Sequence, residues 1–370
     1  MSDAALQSLI DAVRSAAARA APLRILGGGT RDFLARSLEG EPLPTAGLSG
    51  IVAYEPSELV VTVRAGTPLA ALEAALAAQG QCLPFEPPRF APGGTVGGVV
   101  ASGLSGPARA SVGAVRDYVL GLELVNGRGQ ALTFGGQVMK NVAGYDVSRL
   151  MAGAWGTLGV ITAVSLKVLP VAPAEATLKF ACDQAEALRR LNAWGGQPLP
   201  LNASCWVEDA GVGTLFLRLR GAAAAVEAAC RSLGGERLDG AVAAADWEGC
   251  RDQWLPWFAA RNPAHDLWRL SVPQTAPALV LPAGVGAPLV EWHGGQRWVQ
   301  AGPEHAVALR EAAASVGGYA TLFIANDGQS AMGIDRFEPL KAPLDRIHRR
   351  LKAEFDPAGI FNRGRMHAEF

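Results

Sequence analysis

Phe90-Ala91-Pro92-Gly93-Gly94-Thr95-Val96-Gly97-Gly98-Val99-Val100-Ala101-Ser102-Gly103 governs how the rest of this chain is read. Four of the six residues from 93 to 98 are glycine, and each costs folding entropy that a mere connection has no reason to carry. Such a stretch exposes backbone amides with almost no side chain in the way. Phosphate oxygens accept bonds from amides presented like this, so a diphosphate suits the loop. Thr95 is placed to start a short helix whose free N–H groups and dipole would add to the attraction for an anion. The alternative is a tight packing turn.

A second loop, Gly27-Gly28-Gly29-Thr30, follows the apolar run Leu23-Arg24-Ile25-Leu26, where a buried strand ends and the chain must turn. Two amide-rich loops point to two phosphates. Neither fits the common nucleotide fingerprints: Asp32 stands where G-x-G-x-x-G needs its last glycine, and nothing matches G-x-x-x-x-G-K-[ST].

With 370 residues, 49% of them hydrophobic, the chain can bury a large core and divides more readily into two domains than one. Lys and Arg total 33 against 34 Asp and Glu, so no electrostatic reason exists to expect nucleic acid or an anionic membrane surface. Residues 270–290 are nearly free of charge but carry Pro273, Pro277, Pro282 and Pro288, which argues against a spanning helix. Residues 4–20 read as an amphipathic helix interrupted by Asp11, Arg14 and Arg19, not as a signal peptide. The five cysteines, Cys82, Cys182, Cys205, Cys230 and Cys250, form no C-x-x-C pair, which fits a reducing, cytoplasmic setting and places any iron–sulfur cluster on another chain.

Along the chain, residues 50–54 and 59–65 read as strands, and Thr67 and Pro68 open a helix that Gly80 closes. Residues 118–125 and 130–134 flank Asn126-Gly127-Arg128-Gly129, a turn that favours a hairpin. A strand running to Leu169 ends at Pro170 and Pro173, a domain boundary. From Ala176 the order of strand, helix (183–194), strand pair (201–207 and 214–220) and helix (222–233) gives an α+β second domain. A last helix, 340–355, precedes Ile360-Phe361-Asn362-Arg363-Gly364-Arg365-Met366.

Over residues 20–170 these features resemble the FAD-binding fold of the vanillyl-alcohol oxidase and p-cresol methylhydroxylase type. Three further runs, Leu83-Pro84-Phe85-Glu86-Pro87-Pro88, Val115-Arg116-Asp117-Tyr118-Val119-Leu120-Gly121 and Val138-Met139-Lys140-Asn141-Val142-Ala143-Gly144-Tyr145-Asp146, are similar to the family of FAD-binding E subunits of bacterial glycolate oxidase. With the C-terminal run, that likeness spans nearly the whole chain. The resemblance implies an α+β architecture: a two-part FAD-binding domain (1–170), a smaller α+β cap domain (171–335) and a C-terminal segment (336–370) returning to the flavin. It implies that Gly27, Gly28, Gly29 and Thr30, with Pro92, Gly93, Gly94, Thr95, Gly97 and Gly98, hold the flavin diphosphate. Gly153, Gly156, Thr157, Gly159, Val160 and Ile161 would line the cofactor with main chain, and Asn362 would approach the ring. Covalent attachment in this fold uses a His near the first loop or a Cys near the second; this chain has Thr30 in one and no Cys in the other, implying noncovalent FAD. The resemblance also implies a second FAD-binding subunit and an iron–sulfur subunit as partners, a small 2-hydroxy acid as substrate, and any membrane association running through those partners.

Related 2-hydroxy-acid dehydrogenases carry a His-rich metal motif in the second domain, of which His293-Gly294-Gly295-Gln296 is only an echo. No catalytic base can be named from the sequence. Lys140, Tyr145 and Arg365 are candidates for a charge or hydrogen-bond donor beside the flavin, and a cation near its N1 and C2 carbonyl would stabilise the anionic reduced form. Arg261, His265 and Arg269, with Trp254, Trp257 and Trp268, could hold a small carboxylate between aromatic walls, or could be packed core with surface arginines. Eight of the nine tryptophans lie beyond residue 190, which a partner interface would also explain. His305 and His348 read as surface residues, no two histidines have metal-ligand spacing, and no motif supports hydrolysis.

Overall fold

The computed structural model describes residues 3–136, 146–209, 211–326 and 334–368. These form two compact units. Unit 1 is Met1–Leu104, Ala114–Val171 and Pro339–Phe370; unit 2 is Ser105–Gly113 and Ala172–Glu338. The excursion of residues 105–113 into unit 2 carries no composition signal, and the sequence reading has no counterpart for it.

Unit 1 is built on an antiparallel sheet in the order Ile51–Glu55, Val60–Arg64, Val160–Lys167, Val119–Val125 and Ala131–Gly135. Val160–Lys167 is central, and every residue in it but the last is buried, as suits a strand rich in β-branched residues. The Val119–Val125 and Ala131–Gly135 hairpin turns at Asn126, whose Oδ1 accepts the N–H groups of Arg128 and Gln130 at 3.0 Å each. The helix Leu69–Ala77 buries Leu69, Leu72 and Leu76. Thr67 does not cap it: its hydroxyl oxygen accepts the Gly50 N–H at 2.9 Å and ties the helix entry to the neighbouring strand.

A separate parallel pair, Leu23–Leu26 with Glu41–Pro44, ends at the first glycine loop. The C-terminal chain bridges to it, with Phe361 beside Leu23.

Unit 2 is an antiparallel sheet of eight strands in the order Glu236–Arg237, Ala174–Ala181, Val212–Gly221, Leu201–Asp209, Leu289–Glu291, Gln296–Ala301, Asp266–Ser271 and Tyr319–Ile324. Leu178, Trp206, Leu215, Leu217 and Val290 share one core with residues of the helices Gln184–Gly195 and Ala223–Leu233. Trp268, Leu270 and Val299 form another with the helix Ala306–Ala314. Trp206, Trp247, Trp268, Trp292 and Trp298 are all buried, so these tryptophans make core; Trp254 is the exposed one, at 61%.

Candidate functional site: a main-chain cradle in unit 1

A cavity in unit 1 draws its wall from six stretches of chain: residues within 25–32, Thr45, Ala65, residues within 95–102, residues within 155–161, and the returning Asn362 and Arg365. It brings together Gly27, Gly28, Gly29, Thr30, Thr95, Gly97, Gly98, Gly156, Gly159, Ile161 and Asn362 of the residues read from sequence.

The two loops touch. A Cβ on Gly28 would collide with the Gly93 carbonyl oxygen, and one on Gly27 would lie 2.5 Å from Thr95 Oγ1. Close approach of the loops is what these two glycines permit. Gly94 is different, since a Cβ there would meet only Thr30 Oγ1 at 3.4 Å and Arg31 Nη1 at 3.6 Å.

The N–H groups of Gly27, Gly28, Gly29, Thr30, Gly93 and Gly94 have no acceptor within the protein among the described residues. Gly27, Thr30 and Gly94 are half-buried and Gly28, Gly29 and Gly93 exposed; six amides without protein acceptors, clustered at two touching loops, fit a polyanionic ligand. The short helix Val96–Ser102 contributes less than its sequence promises. Its first N–H groups already have acceptors: Val96 donates to Thr67 O at 3.0 Å, Gly97 to Ala65 O at 2.7 Å and Gly98 to Thr95 Oγ1 at 3.2 Å. Thr95 is the N-cap, as expected, and by capping it uses one of the donors the ligand was expected to take.

Two guanidinium groups border the cradle. Arg31 donates through Nη1 to Thr30 Oγ1 at 3.2 Å and through Nη2 to Pro88 O at 2.6 Å, and lies 5.8 Å from the Phe90 ring centre. Arg365 donates to Asp32 Oδ1 at 3.0 Å and lies 5.7 Å from the Trp155 ring centre. Arg31 was invisible as a site residue because it follows the glycine run; the signal that could have found it is that run's need for a nearby positive charge.

The C-terminal return is held by a buried ion pair that sequence reasoning missed. Lys352, from the helix Leu344–Phe355, donates to Asp356 Oδ2 at 2.8 Å, Thr157 O at 2.7 Å and Phe361 O at 3.0 Å. The Asp356 carboxylate accepts the N–H groups of Ile360 at 3.0 Å and Phe361 at 2.8 Å. Burial pushes the Lys352 pKa down, and the Asp356 charge works against that. One ammonium therefore ties the 154–159 turn to the strand-like run ending in Asn362. Asn362, at φ 43°, accepts the Ile25 N–H at 2.8 Å and donates to Trp155 O at 2.7 Å. Both ends of its amide close the cradle.

Other expected residues stand back from the cavity wall. Gly153 donates to Val100 O at 3.1 Å, Thr157 offers its carbonyl to Lys352, and Val160 is wholly buried in the core with Leu23 and Ile360. Pro92, Gly93 and Gly94 do not line the wall itself, although a Cβ on Gly94 would point at Thr30 and Arg31, which do. Lys140 and Tyr145 lie outside the described residues.

In unit 2, His293 sits at φ 55° with Nδ1 3.1 Å from Ser204 Oγ and Nε2 2.9 Å from Ser111 Oγ. Burial lowers its pKa to about 4, so it is neutral at pH 7. Among the described residues no group of three or more His, Cys, Asp or Glu is arranged to hold a metal. The constellation around Arg269 does not assemble as a box: Trp268 faces the core, Arg269 lies 5.7 Å from the Phe323 ring centre, and Arg261 donates to the His265 carbonyl.

Comparison with known proteins places the whole chain in a family. Residues 4–135 match a family described as FAD binding domain. The chain is 44% identical over 363 residues to glycolate oxidase subunit GlcE of Escherichia coli (strain K12), covering 98% of this chain and 97% of that one. The chain belongs to the GlcE family. It binds FAD on a fold of the vanillyl-alcohol oxidase type. Glycolate oxidase subunit GlcD of Bacillus subtilis (strain 168) is 32% identical over 165 residues, 42% of this chain and 34% of the relative. A solved structure of alkyldihydroxyacetonephosphate synthase aligns with TM-score 0.64 at 15% identity, over 96% of this chain and 74% of the other, which shows a shared fold. No helix among the described residues is long and apolar enough to cross a membrane.

Proposed function

We propose that this GlcE-family chain serves as a noncovalent FAD subunit of a complex that oxidises glycolate or a related 2-hydroxy acid to the 2-oxo acid and passes the electrons to partner subunits. The observation that carries the reading is the extent of likeness: identity to a glycolate oxidase subunit runs through 98% of the chain, unit 2 included, whereas the likeness to GlcD covers 42%.

When bound, FAD would supply a two-electron acceptor. The chain's own residues do the holding. The N–H groups of residues 27–30, 93 and 94 would bond the diphosphate oxygens, with Arg31 and Arg365 adding charge. Gly94 and Gly98 leave room for it, and residues 156–161 with Asn362 supply main-chain walls. His293, neutral and engaged with two serines, is positioned for structure and not for proton abstraction. Partners would include a second flavin subunit and an iron–sulfur subunit, with oxidation of the acid centred on the partner flavoprotein.

Anaerobic mixing tests this directly. The FAD-loaded chain alone should keep its visible absorbance in excess glycolate or D-lactate and lose it once the second flavin subunit is added. Bleaching by the isolated chain would make it a self-sufficient dehydrogenase. Retention of absorbance in the active, glycolate-reduced complex would reduce it to a scaffold.

A further inference from the structure

Unit 2 contains a cavity of about 470 Å³ that shares no lining residue with the cradle of unit 1. Strand alternation places it. Leu178, Trp206 and Leu215 face the core with the two helices on one side of the sheet, while Thr177, Cys205 and Phe216, each one residue along, line the cavity, so it lies on the opposite face. The register agrees: Cys205 pairs with Phe216 on one side and with Glu291 on the other. The helix Gly240–Asp252 closes the space with Ala243, Trp247 and Cys250, a spacing that puts all three on one side of a helix.

The polar atoms of this wall are already paired. Trp247 Nε1 donates to Thr177 Oγ1 at 2.9 Å and Gln300 Nε2 to Trp257 O at 2.7 Å. Cys250 Sγ donates to Glu291 Oε1 at 3.0 Å, and Glu291 Oε2 accepts from Gln296 at 2.9 Å and from Trp298. A hydrogen bond with Cys205, then burial and the neighbouring Glu291 charge, push the Cys250 thiol pKa up, keeping it a neutral donor. Most of what faces the space is ring and aliphatic carbon. No Lys, Arg or His lines it, and its two carboxylate residues, Glu208 and Asp246, are exposed.

Protein interiors rarely leave voids larger than a water molecule, and small-molecule sites fall at about 300–1,000 Å³ with mainly apolar walls. We propose that this cavity is a second binding site, for an uncharged, mainly apolar ring compound, and that it rejects the carboxylate-bearing acid. An anion would find acidic groups and no cation. Every residue lining it belongs to unit 2, and every residue lining the flavin cradle belongs to unit 1.

The FAD-loaded chain is titrated with N-phenyl-1-naphthylamine, followed by its fluorescence. Saturable binding at one site is expected, at least tenfold weaker in Ala243→Phe, and 1-naphthoate should compete at least tenfold less well than the uncharged 1-naphthol. In the wild type the same probe should slow hydrogen exchange of the backbone amides of residues 205–208 and 243–250, which border the cavity, at least fivefold and leave those of the unit 1 strand Val60–Arg64 unchanged. If Ala243→Phe does not fold, the wild-type protection map decides alone. Equal binding by a folded Ala243→Phe, absent protection of those cavity amides, or naphthoate competing as well as naphthol would each overturn the proposal.

Discussion

The two cavities of this molecule are made of different material. In unit 1 the wall is main chain: glycines let two loops touch, and amides face the space without acceptors of their own. In unit 2 the wall is side chain, aromatic and aliphatic groups contributed by strands and a helix far apart in sequence, with its polar atoms already paired. A main-chain site selects for a charged, oxygen-rich ligand and advertises itself as clustered glycine. A side-chain site on a sheet face selects by shape, and only the register of the strands assembles it.

Substitutions within unit 1 should separate ligand-facing glycine from packing glycine. Gly94→Val enters space bordered only by Thr30 and Arg31, so FAD affinity measured by flavin fluorescence should fall about a thousandfold, or roughly 4 kcal/mol, with the urea midpoint of the flavin-free protein unchanged. Gly28→Ala should instead cost about 3 kcal/mol of folding stability by driving the loops apart. If both behave alike, the distinction between the two kinds of glycine fails. Gly97→Val belongs with the second kind, because a Cβ there lies 2.7 Å from that of Ala65.

The ion pair comes next. Lys352→Met leaves Asp356 buried without its cation, and equilibrium urea unfolding should show a loss of about 3 kcal/mol, with weaker FAD binding as the Asn362 return loosens. No change in stability would mean that the C-terminal segment is held elsewhere.

A smaller effect should come from His293 in unit 2, whose folded pKa of about 4 lies below the ordinary 6.5. Above pH 6.5 both folded and unfolded forms are neutral there. As pH falls from 6.5 toward 4 the unfolded chain takes the proton first, so stability is lost in that window, on the order of 2 kcal/mol after solvent screening. His293→Gln should flatten this part of the pH–stability curve, and an unchanged slope would place the acid sensitivity in other groups. Smallest of all, Trp254→Ser at the exposed indole should shift isolated-chain stability by no more than about 0.5 kcal/mol, whereas Trp268→Ala in the core should cost about 3–5 kcal/mol.

Much of unit 1 was legible because its signals are local. The Asn126-Gly127 turn, the glycine loops and the Thr95 cap each act within a few residues. Thr67 shows the limit of that logic: it has a capping residue's chemistry but bonds to Gly50, seventeen residues away, because the strand passing beside it offers an N–H. Lys352 and Asp356 were not readable, since an i,i+4 pair on a helix looks like ordinary surface charge until Thr157 and Phe361 close over it. In unit 2 the strand and helix alternation was visible, but the face to which Cys205, Phe216 and Cys250 belong depends on pairings across eighty residues of chain.

The most direct test of the main-chain cradle is FAD titration of purified chain against Gly94→Val, read by visible absorbance after gel filtration. The wild type should retain about one FAD per chain, released intact by acid denaturation because no covalent link holds it, and the variant should emerge folded and colourless. A folded wild-type chain that stays colourless in excess FAD, or a variant that keeps full flavin, would contradict it.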